Sequence, residues 1–233
     1  MITVILAGGF GSRLSEYTEM IPKPMVEICG EPIILRILKH YSKFGYKKFI
    51  IATGYKSEVI KDYFQNNRKN LSDIEVKTIF TGKNSLTGTR VKKLSNYLKD
   101  ENFFLTYGDG LSTIDIKKLL KFHKKNKKLV TITAVHPPAR FGELILNKAE
   151  VTNFEEKPQL QKGWINGGFF VLNKGFLNLI TKKNEMLERG PIKKAVKLSQ
   201  VCAYKYEGFW HCIDTKRDKD LLEELLKKKR IKL

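Results

Sequence analysis

A short apolar run, Ile2-Thr3-Val4-Ile5-Leu6, leads into Ala7-Gly8-Gly9-Phe10-Gly11-Ser12-Arg13-Leu14, and Pro22-Lys23-Pro24-Met25 follows closely. Glycine lacks a Cβ, so the amides of Gly8, Gly9 and Gly11 can approach phosphate oxygens and donate to them together. Arg13 and Lys23 add two mobile cations where a triphosphate would lie. This is the equipment of a nucleotide-using enzyme. A P-loop is excluded, because no Lys-Ser or Lys-Thr follows the glycines. A dinucleotide loop is disfavoured too: Leu14 stands where the third glycine belongs, and Pro22 and Pro24 interrupt the helix that should follow.

Two aspartates stand out. Asp109 sits between two glycines in Tyr107-Gly108-Asp109-Gly110, directly after an apolar strand. In parallel α/β sheets ligands collect at the carboxyl ends of strands. An acid there suits Mg²⁺, which takes one or two carboxylates plus phosphate oxygens; read alone, the same residues make an Asp-Gly turn. Asp214, in Gly208-Phe209-Trp210-His211-Cys212-Ile213-Asp214-Thr215, also lies between a strand and a helix, where it either caps the helix or joins Asp109 on one ion. Among the four histidines, His40 and His123 fall on helices and read as structural, and His136 precedes two prolines as a turn residue. His211 is the candidate for acceptor contact. No His/Cys spacing suits zinc.

These residues need a frame, and strand and helix patterns alternate to supply one. Strands are expected at 2–6, 48–53, 75–80 and 103–107. Helices are expected at 32–44, 57–64 (with Ser57 as N-cap), 89–98 and 114–125, the last with Ile116, Leu119, Leu120 and His123 inward. Such βα units imply a largely parallel sheet with helices on both faces. Beyond residue 129 the pattern turns mixed, with strands at 130–135, 144–146, 151–154 and 169–172. This half, which holds a hairpin near 147–150, is expected to extend the same sheet and to carry the acceptor pocket. A helix at 191–198, a strand at 201–206 and a helix at 217–229, with Leu221, Leu222, Leu225 and Leu226 on one stripe, close the chain. The expectation is one domain over 1–233, with 1–128 mainly nucleotide-binding and 129–233 mainly acceptor-binding.

The 233 residues carry a net charge of +20, with 36 lysines among 44 cations. The lysines are spread in pairs, the densest runs lie at expected helix ends, where cations complement the dipole, and no aromatic-basic interleaving appears. The charge therefore reads as a solvated surface and not as a nucleic-acid interface. No apolar run of membrane-spanning length and no signal peptide is evident, and three dispersed cysteines suit a reduced, cytoplasmic protein.

Several segments together resemble the sugar-phosphate nucleotidylyltransferases, and within them the glucose-1-phosphate cytidylyltransferases. They include VILAGGFGSRLSE, PKPMVEICGEPI, GYKSEVIKDYF, TG-x4-TG-x-R at residues 81–90, TYGDG, HPPARFGEL, FEEKP, WINGGFFVLN and GFWHCIDTKRDKDLLEEL. The resemblance implies a Rossmann-like α/β nucleotidyltransferase fold with a central mixed, mostly parallel sheet. It implies transfer of CMP from CTP to a phosphorylated acceptor with release of pyrophosphate and with Mg²⁺ as cofactor. Leu6, Ala7, Gly8, Gly9, Gly11 and Arg13 would hold the triphosphate, Lys23 would sit near the α-phosphorus, and Thr87 and Gly88 would help read the base. Asp109 and Asp214 would bind the metal. Gly142, Glu156, Lys157, Asn166 and Gly167 would form the acceptor side, with Lys157 on its phosphate.

The chain departs from that pattern in three places. The stretch between Phe64 and Ile79 is shorter, Leu187-Glu188-Arg189-Gly190-Pro191 replaces a segment beginning Trp-Glu, and His211-Cys212-Ile213 replaces Gln-Pro-Met. The last two leave the acceptor open: glucose-1-phosphate, another sugar-1-phosphate, or a non-sugar phosphate such as a phosphorylated amino acid or phosphocholine. A UTP- or dTTP-using relative is the other alternative. The expected partners are CTP and the small phosphorylated acceptor, with neither nucleic acid nor membrane, and homo-oligomerisation stays open.

Overall fold

The computed structural model describes residues 1–71, 73–137, 143–155 and 163–231. Its first half runs β1 (Ile2–Ala7), α1 (Ser15–Thr18), β2 (Glu27–Ile28), β3 (Glu31–Pro32), α2 (Ile33–Lys43), β4 (Lys48–Thr53), α3 (Ser57–Asn66) and β5 (Glu75–Phe80). Then come α4 (Thr87–Lys93), β6 (Asn102–Tyr107), β7 (Gly110–Ser112) and α5 (Ile116–Asn126). The second half contributes β8 (Val130–Val135), β9 (Glu143–Asn147), β10 (Glu150–Glu155), β11 (Ile165–Asn173), α6 (Pro191–Lys197), β12 (Val201–Lys205), β13 (Trp210–Cys212) and α7 (Lys216–Lys227).

A seven-stranded sheet in the order β12-β8-β11-β6-β1-β4-β5 organises the described residues. The pairs β1/β4, β1/β6, β4/β5 and β8/β12 are parallel, while β11 runs antiparallel to both neighbours. The central strands are apolar on both faces because both faces are covered. Alternation divides their side chains cleanly. Ile5, Phe49, Ile51, Phe104, Phe169 and Val171 join one core with α2, α3, α5 and α7. Val4, Leu6, Ile50, Leu105, Phe170 and Leu172 join a second, with Val91, Leu94, Leu98 and Ala195.

The reversed direction of β11 matters for function. Phe169 pairs with Thr106, so the start of β11 lies beside the end of β6. Asn166 and Gly167 therefore reach the sheet end where β1 and β6 deliver their glycine loops. A second alternation acts through the short pair β7/β13, in which Cys212 opposes Gly110.

The second half extends the main sheet, as expected, through β8, β11 and β12, while its β9/β10 hairpin forms a two-stranded sheet of its own. Several boundaries and caps differ from expectation. Ser57 begins α3 but does not cap it; Lys56 holds the cap position with φ of 48° and no side-chain cap bond. The helix expected at 89–98 spans Thr87–Lys93 and gives way to turns. Of the leucine stripe on α7, Leu222 is buried while Leu221 is 41% exposed. A capping box formed by Thr215 and Asp218 starts that helix, so Asp214 is not its cap.

Candidate active site

Loops after β1, β5 and β6, the start of β11 and the short β7/β13 pair surround a cavity of about 640 Å³ at the carboxyl ends of β1 and β6. That volume is in the range of small-molecule sites. Leu6, Ala7, Gly8, Gly9, Gly11, Lys23, Thr87, Asp109, Asn166, Gly167 and Asp214 all line it, so the cavity gathers most of the residues singled out in the sequence.

The glycine loop is shaped by what lies behind it. Arg90 is 4% exposed and donates to the carbonyls of Gly8 (2.7 Å), Thr53 (3.0 Å) and Gly82 (2.8 Å), and to the Thr81 hydroxyl (2.7 Å). A Cβ on Gly8 would come within 2.2 Å of that guanidinium, so Gly8 is fixed by packing as well as by any ligand. The Tyr55 amide also donates to the Gly8 carbonyl, at 3.2 Å. A carbonyl that would repel an anion is thereby turned towards protein donors. Gly11 adopts φ of 68°, and a Cβ there would stand 2.8 Å from Thr18 Cγ2. Arg13 lies in the 3-10 turn Ser12–Leu14 that follows.

Lys23 sits in the 3-10 turn Lys23–Met25, with its side chain 9% exposed. Its ammonium donates to Asp109 Oδ2 and Asp214 Oδ1, each at 2.7 Å. Burial pushes against the charged lysine, but Asp109, Cys212 and Asp214 together outweigh it and raise its pKa above the ordinary value. The Asp109 backbone is held by Ile213, whose amide donates to its carbonyl at 3.0 Å. Asp214 is held in turn by the α7 capping box: its amide donates to Asp218 Oδ2 at 3.0 Å. Asp109, Cys212 and Asp214 bring one ligand atom each to within 4.8 Å of one another. The lysine ammonium shows that the two carboxylates converge on one cation position, and an oxygen-rich pair suits Mg²⁺ there. The donor set thus fits a divalent ion.

A polar chain joins the other side of the cavity. The Thr87 hydroxyl donates to Glu188 Oε2 at 3.0 Å and accepts from the Leu187 amide at 2.8 Å. The Tyr107 hydroxyl donates to Glu188 Oε1, and Asn166 Nδ2 donates to that hydroxyl at 3.3 Å. Burial, reinforced by Glu188, raises the Tyr107 pKa, so the phenol stays a donor at neutral pH. Gly88 does not line the cavity; its amide donates to the Glu185 carbonyl at 3.0 Å, docking α4 against the 185–188 segment.

His211 takes a different place from the acceptor contact expected of it. It is 4% exposed, its Nδ1 lies 2.9 Å from the Cys212 carbonyl, and it does not line the cavity. Strand alternation explains this: Trp210 and Cys212 face the cavity and His211, between them, faces away. Trp210 donates from Nε1 to the Gly167 carbonyl at 2.7 Å. Trp210, Cys212 and Arg90 are among the lining residues that sequence reasoning did not assign; the alternation 210/212/214 was the available signal for the first two. Gly142, Glu156 and Lys157 lie outside the described residues.

Residues 2–211 match the family described as Nucleotidyl transferase. The chain belongs to this family. It is 44% identical, over 98% of its own length and 96% of the relative's, to glucose-1-phosphate cytidylyltransferase of Salmonella typhimurium. It is 37% identical, over 96% and 94%, to the probable glucose-1-phosphate cytidylyltransferase of Bacillus subtilis. Among solved structures, the inositol-1-phosphate CTP transferase of T. maritima superposes with a TM-score of 0.74 at 19% identity, over 97% of this chain and 95% of that one, a likeness of fold. A nucleotidyl transferase of this family has reason to gather a glycine loop, a buried lysine and two carboxylates around one cavity. Among the described residues, no helix is long and apolar enough to cross a membrane.

Proposed function

We propose that this nucleotidyl transferase moves CMP from CTP to the phosphate of glucose-1-phosphate, releasing pyrophosphate, and that its two halves work as one domain around the cavity. The observation that carries the reading is the 44% identity over 98% of the chain to an enzyme of that name. The convergence of Lys23, Asp109 and Asp214 at the end of β1 and β6 supports it.

The chemistry is an in-line displacement. An oxygen of the acceptor phosphate attacks the α-phosphorus of CTP, the bond from that phosphorus to the bridging oxygen breaks, and pyrophosphate departs with the electron pair. An ionised phosphate is already nucleophilic at neutral pH, so no general base is required, in keeping with a cavity that holds no Ser-His-Asp or Cys-His array among its described residues. Both reactants are anions, and their repulsion is the main obstacle. The amides of Gly8, Gly9 and Gly11 with Arg13 would bind the triphosphate, and Lys23 would counter charge building on the α-phosphoryl oxygens. Asp109 and Asp214 would hold Mg²⁺, which when bound neutralises phosphate charge. Thr87 would contribute to base reading from its Glu188-anchored position. Asn166 and Gly167, with Gly142, Glu156 and Lys157, would hold the acceptor. Alignment of two bound reactants supplies up to about 7–11 kcal/mol of the barrier reduction.

The acceptor half of this reading is tested by Lys157→Ala. We expect the KM for glucose-1-phosphate to rise at least tenfold with the KM for CTP nearly constant. A change confined to CTP would reverse the assignment of the two pockets.

A further inference from the structure

The two carboxylates that converge on Lys23 have a third neighbour of different chemistry. Cys212 belongs to β13, where it opposes Gly110, the residue after Asp109. Asp214 is two residues further along, so the thiol and the carboxylate project to one side, while Ile213 between them is fully buried in the core. The Cys212 sulfur and one oxygen each of Asp109 and Asp214 lie within 4.8 Å of one another. All three residues line the cavity, Asp109 and Cys212 partly exposed and Asp214 buried.

We propose that Cys212 is a third ligand of the Asp109–Asp214 centre and that it lets this centre take a thiophilic divalent cation such as Zn²⁺ or Co²⁺. The inference rests on the reading above only in placing a cation between the two carboxylates. A purely oxygen set favours Mg²⁺, whereas one thiolate shifts preference towards softer ions. Ligands arranged tetrahedrally around such an ion, with bonds of about 2.0 Å to oxygen and 2.3 Å to sulfur, lie roughly 3.3–3.6 Å apart. Side-chain rotation must close the group from within 4.8 Å to that spacing. Binding displaces the Lys23 ammonium from the carboxylates and releases the thiol proton to solvent, because a coordinating thiol is deprotonated. A fourth position remains for water or a phosphate oxygen.

The test is optical and does not depend on turnover. The chelator-treated full-length protein, kept reduced, is titrated with Co²⁺. We expect a thiolate-to-cobalt charge-transfer band that saturates at one equivalent and is removed by excess Zn²⁺. The band should be lost in Cys212→Ser and in Cys212→Ala and kept in the double variant Cys29→Ser/Cys202→Ser. In the unaltered protein, Co²⁺ should protect one of the three thiols from a disulfide reagent, which reads the same contact without any variant. A band that survives in Cys212→Ser, or no band while Mn²⁺ still binds, overturns the proposal and leaves the carboxylate centre standing. Failure to bind Co²⁺ and Mn²⁺ alike overturns both the proposal and the metal assignment beneath it.

Discussion

Lys23 holds two assignments in tension. As a phosphate contact it must point at the nucleotide, yet in the structure its ammonium bonds both carboxylates expected to carry the metal. One cation at a time satisfies that pair, so on the proposed reading a divalent ion held there would leave the lysine free for phosphate. Lys23→Met should therefore do three things. It should lower kcat by orders of magnitude. It should destabilise the ion-free protein by no more than about 3 kcal/mol, the low end for breaking a buried pair, because the Asp109 side chain remains 27% exposed. It should also enlarge the rise in melting temperature on adding Mg²⁺, since the competing cation is gone. Calorimetry with and without Mg²⁺ reads the last effect, and a smaller rise than in the unaltered protein would show that the lysine does not occupy the ion's position. The types and spacing of Lys23, Asp109 and Asp214 were legible in the sequence. Their mutual contact was not, because it joins residues 86 and 191 positions apart.

At the scale of elements, α4 is the part the sequence described least well. Its first turn begins at Thr87 and not at residue 89, because the 185–188 segment supplies partners for its first amides: Gly88 and Thr89 both donate to the Glu185 carbonyl. No local pattern announces a partner a hundred residues away. The same helix carries Arg90, which ties the Gly8 carbonyl to the loop at Gly82 and to β4. Arg90→Met removes one donor each from the Gly8, Thr53 and Gly82 carbonyls, which keep the Tyr55, Thr81 and Ser85 amides, and it removes the one side chain that ties these three segments together. We expect a clear drop in melting temperature and a KM for the nucleotide raised severalfold. A variant with unchanged nucleotide KM would mean that the glycine loop holds its shape without the arginine. The parallel core, by contrast, was read almost residue for residue, since strands buried on both faces are continuous apolar runs. The β9/β10 hairpin was recognised as a hairpin, but nothing local says which sheet a hairpin joins.

At the scale of the whole molecule, two buried histidines make stability depend on pH. His40, in α2, and His123, in α5, are 8% and 3% exposed, and burial lowers both pKa values to about 4. His123 Nε2 lies 3.0 Å from Asn102 Oδ1, which accepts, and Nδ1 lies 2.8 Å from the Thr131 hydroxyl; the neutral ring thus joins α5 to β6 and β8. Between the unfolded value near 6.5 and the folded value near 4 the unfolded chain binds more protons, so these groups lose stability as pH falls through that window. Melting temperature should decline from pH 7 to pH 4.5, and His123→Gln should flatten the decline. A slope unchanged by that variant would assign the acid sensitivity to other groups.

The measurement that tests the account most directly is pyrophosphate release with Mg²⁺. It crosses CTP, UTP, dTTP and GTP with glucose-1-phosphate, other hexose-1-phosphates, phosphocholine and phosphorylated amino acids. The account predicts release with CTP and glucose-1-phosphate at a kcat/KM at least tenfold above every other pair. Preference for another nucleotide, or no release from CTP with any acceptor in a folded protein, would contradict it.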